Sequence, residues 1–375
     1  MNATYEVNLY LNGQLIGDVR KLAQNLKWVR RRTKVGADEI DFTLNDVLFS
    51  RWCEARGTTI NEMLKPIALE CRLVRDGIDI LGGFLATMPS YQPNGTSANL
   101  AMRFDGYLNL LNGVYIRPIG TVSGTMDALI QRFITEADTR ASEAGKAYGF
   151  TAGVLEPLAN VEHTFDNYKS TKDWICDRSD NITGAGPFDL YFHANKTYDL
   201  SSSRNFGDII RDWVAFYPTK TNGISATSIQ AQEVSGFASA VIGIGSGEIS
   251  SNEAENTAII SEQIYDPAVI EYGYYETILQ DSSVSQQETL DNNVATRLAN
   301  TSTMVWEPEI TLTGRTVAPK PTGSAKIWIG DVITIRNSED LTGMTNGMFK
   351  VNELEVNISA TGAEDIRPVL ERYDG

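Results

Sequence analysis

The segments 271–314, EYGYYETILQDSSVSQQETLDNNVATRLANTSTMVWEPEITLTG, and 326–337, KIWIGDVITIRN, set a strand, a helix and further strands one after another. Ile270, Tyr272 and Tyr274 alternate with Glu271 and Gly273, the period of a half-buried strand. Ser285 and Glu288 predict an S-x-x-E capping box, in which the serine oxygen accepts a free backbone N–H and the glutamate reaches back to the cap. Leu290, Val294 and Leu298 then recur every fourth residue, so one apolar stripe faces a sheet. Beyond Pro308 the strand period returns at Ile310 and Leu312, and again at Ile327 and Ile329. Gly330-Asp331 predicts a turn into a strand over Val332 to Ile335.

Working outward, 375 residues suffice for two or three compact units. The N-terminus MNATYEVNLYLNGQ alternates like a strand and lacks the basic start and apolar run of a signal peptide. No apolar stretch approaches the ~20 residues of a membrane helix, so a soluble chain retained where it is made is expected. Cys53, Cys71 and Cys176 are far apart and have no C-x-x-C spacing, which predicts buried free thiols rather than disulfides or a zinc ribbon. The net charge of −16 disfavours stable binding to phosphate backbones. Such a charge suits a channel that DNA must leave freely, and it also serves solubility alone.

From the start of the chain, Val7, Leu9 and Leu11 alternate with polar neighbours ahead of the hairpin signal Asn12-Gly13, and Ile40, Phe42 and Leu44 form a second strand pattern. Arg30, Arg31, Arg32 and Lys34, beside Trp28, lie between them. In an acidic chain this basic cluster reads as a solvated loop or a salt-bridging subunit surface rather than a nucleic-acid site. A short helix is predicted over Val47 to Ala55. Asp76-Gly77 joins strands Leu69–Val74 and Ile78–Leu85 in a hairpin, where Gly82-Gly83 suggests a bulge or bend. Asn94-Gly95 turns the chain into Leu100 to Phe104.

A long helix is predicted over Thr125 to Ala147, with Met126, Leu129, Ile130, Phe133 and Ile134 on one face and Gly149 as its stop. Ser170 caps a second helix carrying Trp174 and Ile175. Phe188 to Phe192 is a strand closed by Asn195-Lys196. After Phe206 the chain is β-rich, and 238–247, ASAVIGIGSG, is an apolar strand ending in glycines. Its G-x-G-x-G spacing with no following helix is not a dinucleotide fingerprint.

Catalytic constellations are sparse. His163 and His193 are the only histidines, so no H-E-x-x-H or His/Cys cluster can form. His163, in a predicted turn with Glu162 and Asp166 nearby, reads as structural. Neither G-x-S-x-G nor a phosphate-binding loop is present. Tyr272, Tyr274 and Tyr275 with Trp306 could form a sugar-stacking shelf, but the strand period puts them on two faces, which suits core or interface packing. No catalytic, cofactor-binding or metal-binding residue is singled out, and no cofactor is expected.

The order strand, helix, strands, with the Gly-Asp dipeptide before the penultimate hairpin, resembles the tail hub proteins of long-tailed bacteriophages. That family includes the baseplate hub of contractile phages and the trimeric VgrG-like spike base of type VI secretion. Arg75-Asp76-Gly77, and Gly106-Tyr107-Leu108 with Leu111, stand where the family has a hairpin and a following segment of its first barrel. Tyr168, Ser170, Trp174 and Ile175, then Phe188, Asp189 and Phe192, match a step and a strand of its inserted α/β domain. The resemblance implies an α+β, mostly β chain: a first tube-like β-barrel over 1–117, an inserted small α/β domain over 118–205 and a second tube-like β-barrel over 206–375.

The resemblance further implies a non-catalytic homotrimer at the distal end of the virion tail, assembled in the host bacterial cytoplasm. It would join a six-fold tail tube or distal tail protein to three-fold tip or fibre proteins, with the tape measure protein and passing DNA in its lumen. Because the sequence stops at RPVLERYDG, host binding and wall digestion are expected of other proteins. Two alternatives stay open: a virion carbohydrate-binding or polysaccharide-degrading tail protein, and a ring-forming distal tail protein with one barrel per chain.

Overall fold

The computed structural model describes residues 3–94, 97–179, 187–202, 209–217, 224–233, 237–248, 257–282, 284–302, 306–313, 327–339 and 346–373. The fold is α+β and mostly β. It divides into two compact units, Met1–Gln230 with Glu309–Gly375, and Ala231–Pro308.

The larger unit begins with β1 (Tyr5–Leu11), β2 (Gln14–Asp18), β3 (Gln24–Arg31) and β4 (Glu39–Asn45). The expected Asn12-Gly13 hairpin forms between β1 and β2, with φ of 50° and 81° at its two central residues. Helix α1 (Asp46–Glu54) starts where the Asn45 side chain accepts from the Leu48 N–H, and α2 (Ile60–Met63) is held by a Thr59/Glu62 capping box. β5 (Leu69–Arg75), β6 (Ile78–Leu85), β7 (Ser90–Asn94) and β8 (Ser97–Gly106) follow. Gly95 of the expected Asn94-Gly95 turn lies outside the described residues. The β5–β6 register shifts at Leu73/Val74 and not at Gly82-Gly83. Those glycines serve close approach instead: a Cβ on Gly82 would meet the Ala194 carbonyl at 2.8 Å, and one on Gly83 the Asp105 carbonyl at 2.5 Å.

After a 3-10 turn over Tyr107–Gly113 come β9 (Tyr115–Ile116), β10 (Gly120–Thr125), α3 (Met126–Glu143), β11 (Thr151–Leu155), β12 (Asn160–Phe165), β13 (Lys169–Ser170), α4 (Thr171–Ser179), β14 (Phe188–Phe192) and β15 (Thr197–Ser202). The predicted face of α3 is buried, with Met126, Leu129, Ile130, Phe133 and Ile134 all in one core. The helix ends at Glu143, short of Ala147, because Gly145 takes φ of 92° ahead of the expected stop at Gly149. Ser170 caps α4 as expected, its Oγ accepting from the Asp173 N–H. Trp174 stands edge-on to Phe133 in this separate core.

The chain returns to the large sheet with β16 (Ile209–Tyr217) and β17 (Ile224–Glu233), leaves for the smaller unit, and ends with β21 (Trp306–Thr313), β22 (Val332–Asn337), β23 (Gly347–Ile358) and β24 (Glu364–Arg372). The sheet order is β2-β1-β5-β6-β8-β4-β3-β23-β22-β16-β17-β21-β24, and β24 pairs back onto β23. The last six strands therefore close a ring. The earlier strands form an arc that enters it through the antiparallel β3–β23 pairing. The segment Ile327–Ile329, expected as a strand, is a buried turn. The Asp331 carboxylate accepts from the Trp328 N–H, and the Asp331 N–H donates to the Trp328 carbonyl, which leaves the strand to begin at Val332.

The smaller unit holds β18 (Ala240–Ile244), β19 (Ile260–Ile264), α5 (Asp266–Tyr272), β20 (Glu276–Gln280) and α6 (Gln287–Thr301). The alternation read across Ile270 to Tyr274 is not a strand. Pro267, early in α5, fixes a helical φ, Gly273 at φ 101° ends the helix, and the strand starts at Glu276. The Ser285 capping box does not form either, since α6 starts after Gln286, and the Gln287 side chain donates to Ile260 O and Asp291 Oδ1. Leu290, Val294 and Leu298 do form the buried stripe against the sheet, packed on Val241.

Candidate assembly surfaces

The Arg30–Lys34 cluster is neither a solvated loop nor an exposed surface: it lies on and just beyond β3, and Arg30 and Arg32 are buried. Burying a guanidinium costs several kcal/mol unless charge and hydrogen bonds compensate. Here they do. Arg32 reaches Asp189 with Nη2 at 2.8 Å and Nε at 3.1 Å, and donates from Nη1 to Asn352 at 3.0 Å. Arg30 donates to Asp38 and to the Phe192 carbonyl, each at 2.7 Å, while its guanidinium lies 3.7 Å over the Tyr191 ring. Thr33 completes the joint, accepting from the Leu190 N–H and donating to the Leu190 carbonyl. β14 is thereby locked to β3.

The same cluster fastens the arc to the ring. Arg31 stands opposite Glu353 in the β3–β23 register and bonds it, and Lys27 reaches Glu355 at 2.7 Å. Lys34 bonds Glu371 at 2.8 Å, and Asn352 donates to that same carboxylate. Glu371 and Glu355 both lose solvent, which raises a carboxyl, but the hydrogen bonds and charge of their lysines outweigh this and hold both below the ordinary glutamate value. A second buried anchor joins β5 to β24. Arg75 grips Glu364 with Nε at 2.7 Å and Nη2 at 2.8 Å, and the Tyr5 hydroxyl donates to Glu364 as well. Sequence reasoning singled out Arg31 and Lys34 of the seam but neither Lys27 nor the acids Glu353, Glu355 and Glu371. The available signal was Glu353-Leu354-Glu355-Val356, in which carboxylates alternate with buried apolar residues.

Each of the two histidines is held by a charged neighbour. His163 is on β12, not in a turn, with Nδ1 2.9 Å from Arg178 and its ring edge-on to Phe165. Partial burial and the Arg178 charge push its pKa below the usual histidine value. His193 pairs with Asp199 at 2.7 Å on the separate β14–β15 hairpin. Among the described residues no group of His, Cys, Asp or Glu could hold a metal ion, and no helix is long and apolar enough to cross a membrane. All three cysteines are free. Burial pushes the thiols of Cys53 and Cys176 up to about 11, and Cys71 is raised too, so the thiolate is suppressed in each.

Of the tyrosines expected in core or interface packing, the two whose side chains are described are not in the core of this chain. Tyr274 and Tyr275 are exposed; the first donates its hydroxyl to Glu276 and the second meets the Phe237 ring edge-on. The side chains of Tyr272 and Trp306, the other two residues of the expected shelf, lie outside the described residues. What the smaller unit does present is isoleucine: Ile260, Ile264, Ile270 and Ile278 are all exposed.

No sequence-family model matches the chain, and no curated protein matches it by sequence. Solved structures do match. The tail protein from Neisseria meningitidis MC58 superposes with a TM-score of 0.61 at 11% identity, covering 99% of this chain and 97% of its own. The 43 kDa tail protein of prophage MuSo2 from Shewanella oneidensis gives 0.58 at 10% identity, covering 98% of each chain. Prophage tail protein gp18 from Listeria monocytogenes EGD-e gives 0.51 at 12% identity, covering 99% of this chain and 95% of its own. Each of the three alignments covers at least 98% of this chain.

Proposed function

We propose that this chain, which shares the fold of phage tail proteins from end to end, serves as a structural tail hub at the distal end of the tail. The observation that carries this reading is the sheet order: an arc and a closed ring, two β-modules in one chain, bound at β3–β23. In this reading residues 1–117 form one tube-like barrel, 118–205 the domain inserted after it, and 206–375 the second barrel, which carries Ala231–Pro308 as a unit of its own. Three copies then supply six modules, the number needed to meet a six-fold tube while presenting three-fold symmetry to tip or fibre proteins.

The arc ends in β2, a free edge among the described strands, with Leu15 exposed on it. An unpaired edge is a template for pairing with another chain, and ring closure between subunits would satisfy it. Three copies carry three times −16, so a lumen lined with part of that charge repels exiting DNA rather than holding it. The tape measure protein would occupy the lumen before ejection. The chain performs no chemistry in this account. Electron microscopy of whole tails carrying a tagged chain tests it. A label at the distal tip, three copies per tail, is the expected result; a label spread along the tube, or none, overturns it.

A further inference from the structure

The sheet of the smaller unit has one covered face and one open face. Antiparallel β18–β19 and parallel β18–β20 pairings put Val241, Gly243 and Leu279 on the side of α6, where a Cβ on Gly243 would collide with Val294. Alternation then sends Ile242 and Ile244 to the opposite side, with Ile260, Glu262 and Ile264 of β19 and Glu276 and Ile278 of β20. Ile278 is 64% exposed, Ile264 48% and Ile260 43%. β-branched apolar residues across three adjacent strands are the composition of a covered sheet face, and a contiguous exposed patch of that kind marks an interaction site.

Two carboxylates set the chemistry of the occupant. Glu262 lies directly across β18 from Ile278, with Ile242 between them, and Glu276 is on the same face beside Ala240. Glu262 has no side-chain partner among the described residues, while Glu276 accepts from the Tyr274 hydroxyl through one oxygen only. A second copy is a poor fit, because its own face presents the same Glu262 and Glu276 and no Lys or Arg to pair with them.

We propose that this face docks a different protein, one whose surface is apolar at its centre and carries Lys or Arg opposite Glu262 and Glu276. The isoleucines would supply the buried centre and the two carboxylates the orientation and partner choice. This interaction is separate from trimer formation and from ring closure.

The test uses the full chain with a photoreactive benzoylphenylalanine in place of Ile278, irradiated in the cells that make it together with its native partners. The expected product is an adduct with one distinct polypeptide whose cross-linked peptide holds Lys or Arg beside apolar residues. Its yield should fall at least tenfold in the Glu262→Lys/Glu276→Lys chain. An adduct of twice the chain's own mass, or no adduct at all, overturns the proposal, as does a yield indifferent to the charge reversal. Folding is controlled separately. Ile278→Glu in the isolated chain should leave the thermal midpoint within about 2 °C, because the site is exposed. On the unsubstituted chain, hydrogen exchange at β20 should slow in the partner complex and not in the isolated chain. A basic partner that is no tail component would support this proposal while counting against the hub reading, so the two fail separately.

Discussion

Arg32 and Asp189, 157 residues apart in the chain, form a buried bidentate ion pair, Nη2 to Oδ2 at 2.8 Å and Nε to Oδ1 at 3.2 Å. The pair holds β14 against the end of β3. Removing one partner leaves an uncompensated buried charge, so Arg32→Ala or Asp189→Ala should cost about 3–5 kcal/mol. The double change Arg32→Met/Asp189→Leu, which removes both charges and keeps volume, should cost far less than either single change. Urea unfolding of the three variants checks this order.

Burial, not the mere presence of an ion pair, sets the magnitude. Glu364→Ala should cost about 3–5 kcal/mol, because Arg75 is then left buried without its acid. Tyr5→Phe, which removes one hydrogen bond to the same carboxylate, should cost about 1–2 kcal/mol. Arg132→Ala breaks an exposed i,i+4 pair with Glu136 on α3 and should change stability by no more than about 0.5 kcal/mol. The same unfolding series ranks all three.

The seam predicts an acid response. Glu371 and Glu355 have folded-state pKa values below the ordinary 4.5. A depressed folded pKa contributes stability that is fully present above the unfolded value and is lost as pH falls through the folded one. The contribution of these two carboxylates to the unfolding midpoint should therefore hold above pH 4.5 and decline below it. In Lys27→Met/Lys34→Met the decline should be shallower, and the gap from the unsubstituted chain should close at the acid end. Thermal melts from pH 7 to pH 3 measure it.

In the smaller unit, Leu290→Ala removes the centre of the α6 stripe and should cost about 2–5 kcal/mol. Gly243→Ala should also destabilise, by about 1–3 kcal/mol, because its new methyl meets Val294 and Leu290 and α6 must shift outward. Hydrogen exchange localises both effects to β18 and α6.

Much of this architecture was legible where a local rule and the tertiary environment agree. The α6 stripe, the α3 face, the Asn12-Gly13 and Asp76-Gly77 hairpins and the Ser170 cap all follow from spacing that packing then reinforces. Reading failed where two periods fit one segment. Ile270, Tyr272 and Tyr274 satisfy a strand, yet Pro267 and Gly273 bracket a helix, and those two residues were the better signal. Arg30 and Arg32 failed for another reason. Their neighbours in sequence say nothing of Asp189 and Asn352, which hold Arg32, or of the Phe192 carbonyl, which Arg30 reaches, all more than 150 residues away. A charge cluster read locally looks solvated, and only topology shows it buried. The open isoleucine face was hidden likewise, because alternation cannot say which of two apolar faces receives the helix.

The measurement that tests the central claim most directly is multi-angle light scattering of the purified chain, alone and with tail-tube protein, over a range of concentrations. The hub account predicts a species of about 124 kDa, three times the 41.3 kDa chain, or assembly into a three-fold ring on the tube protein. A chain that stays at 41.3 kDa at every concentration and ignores the tube protein would contradict it.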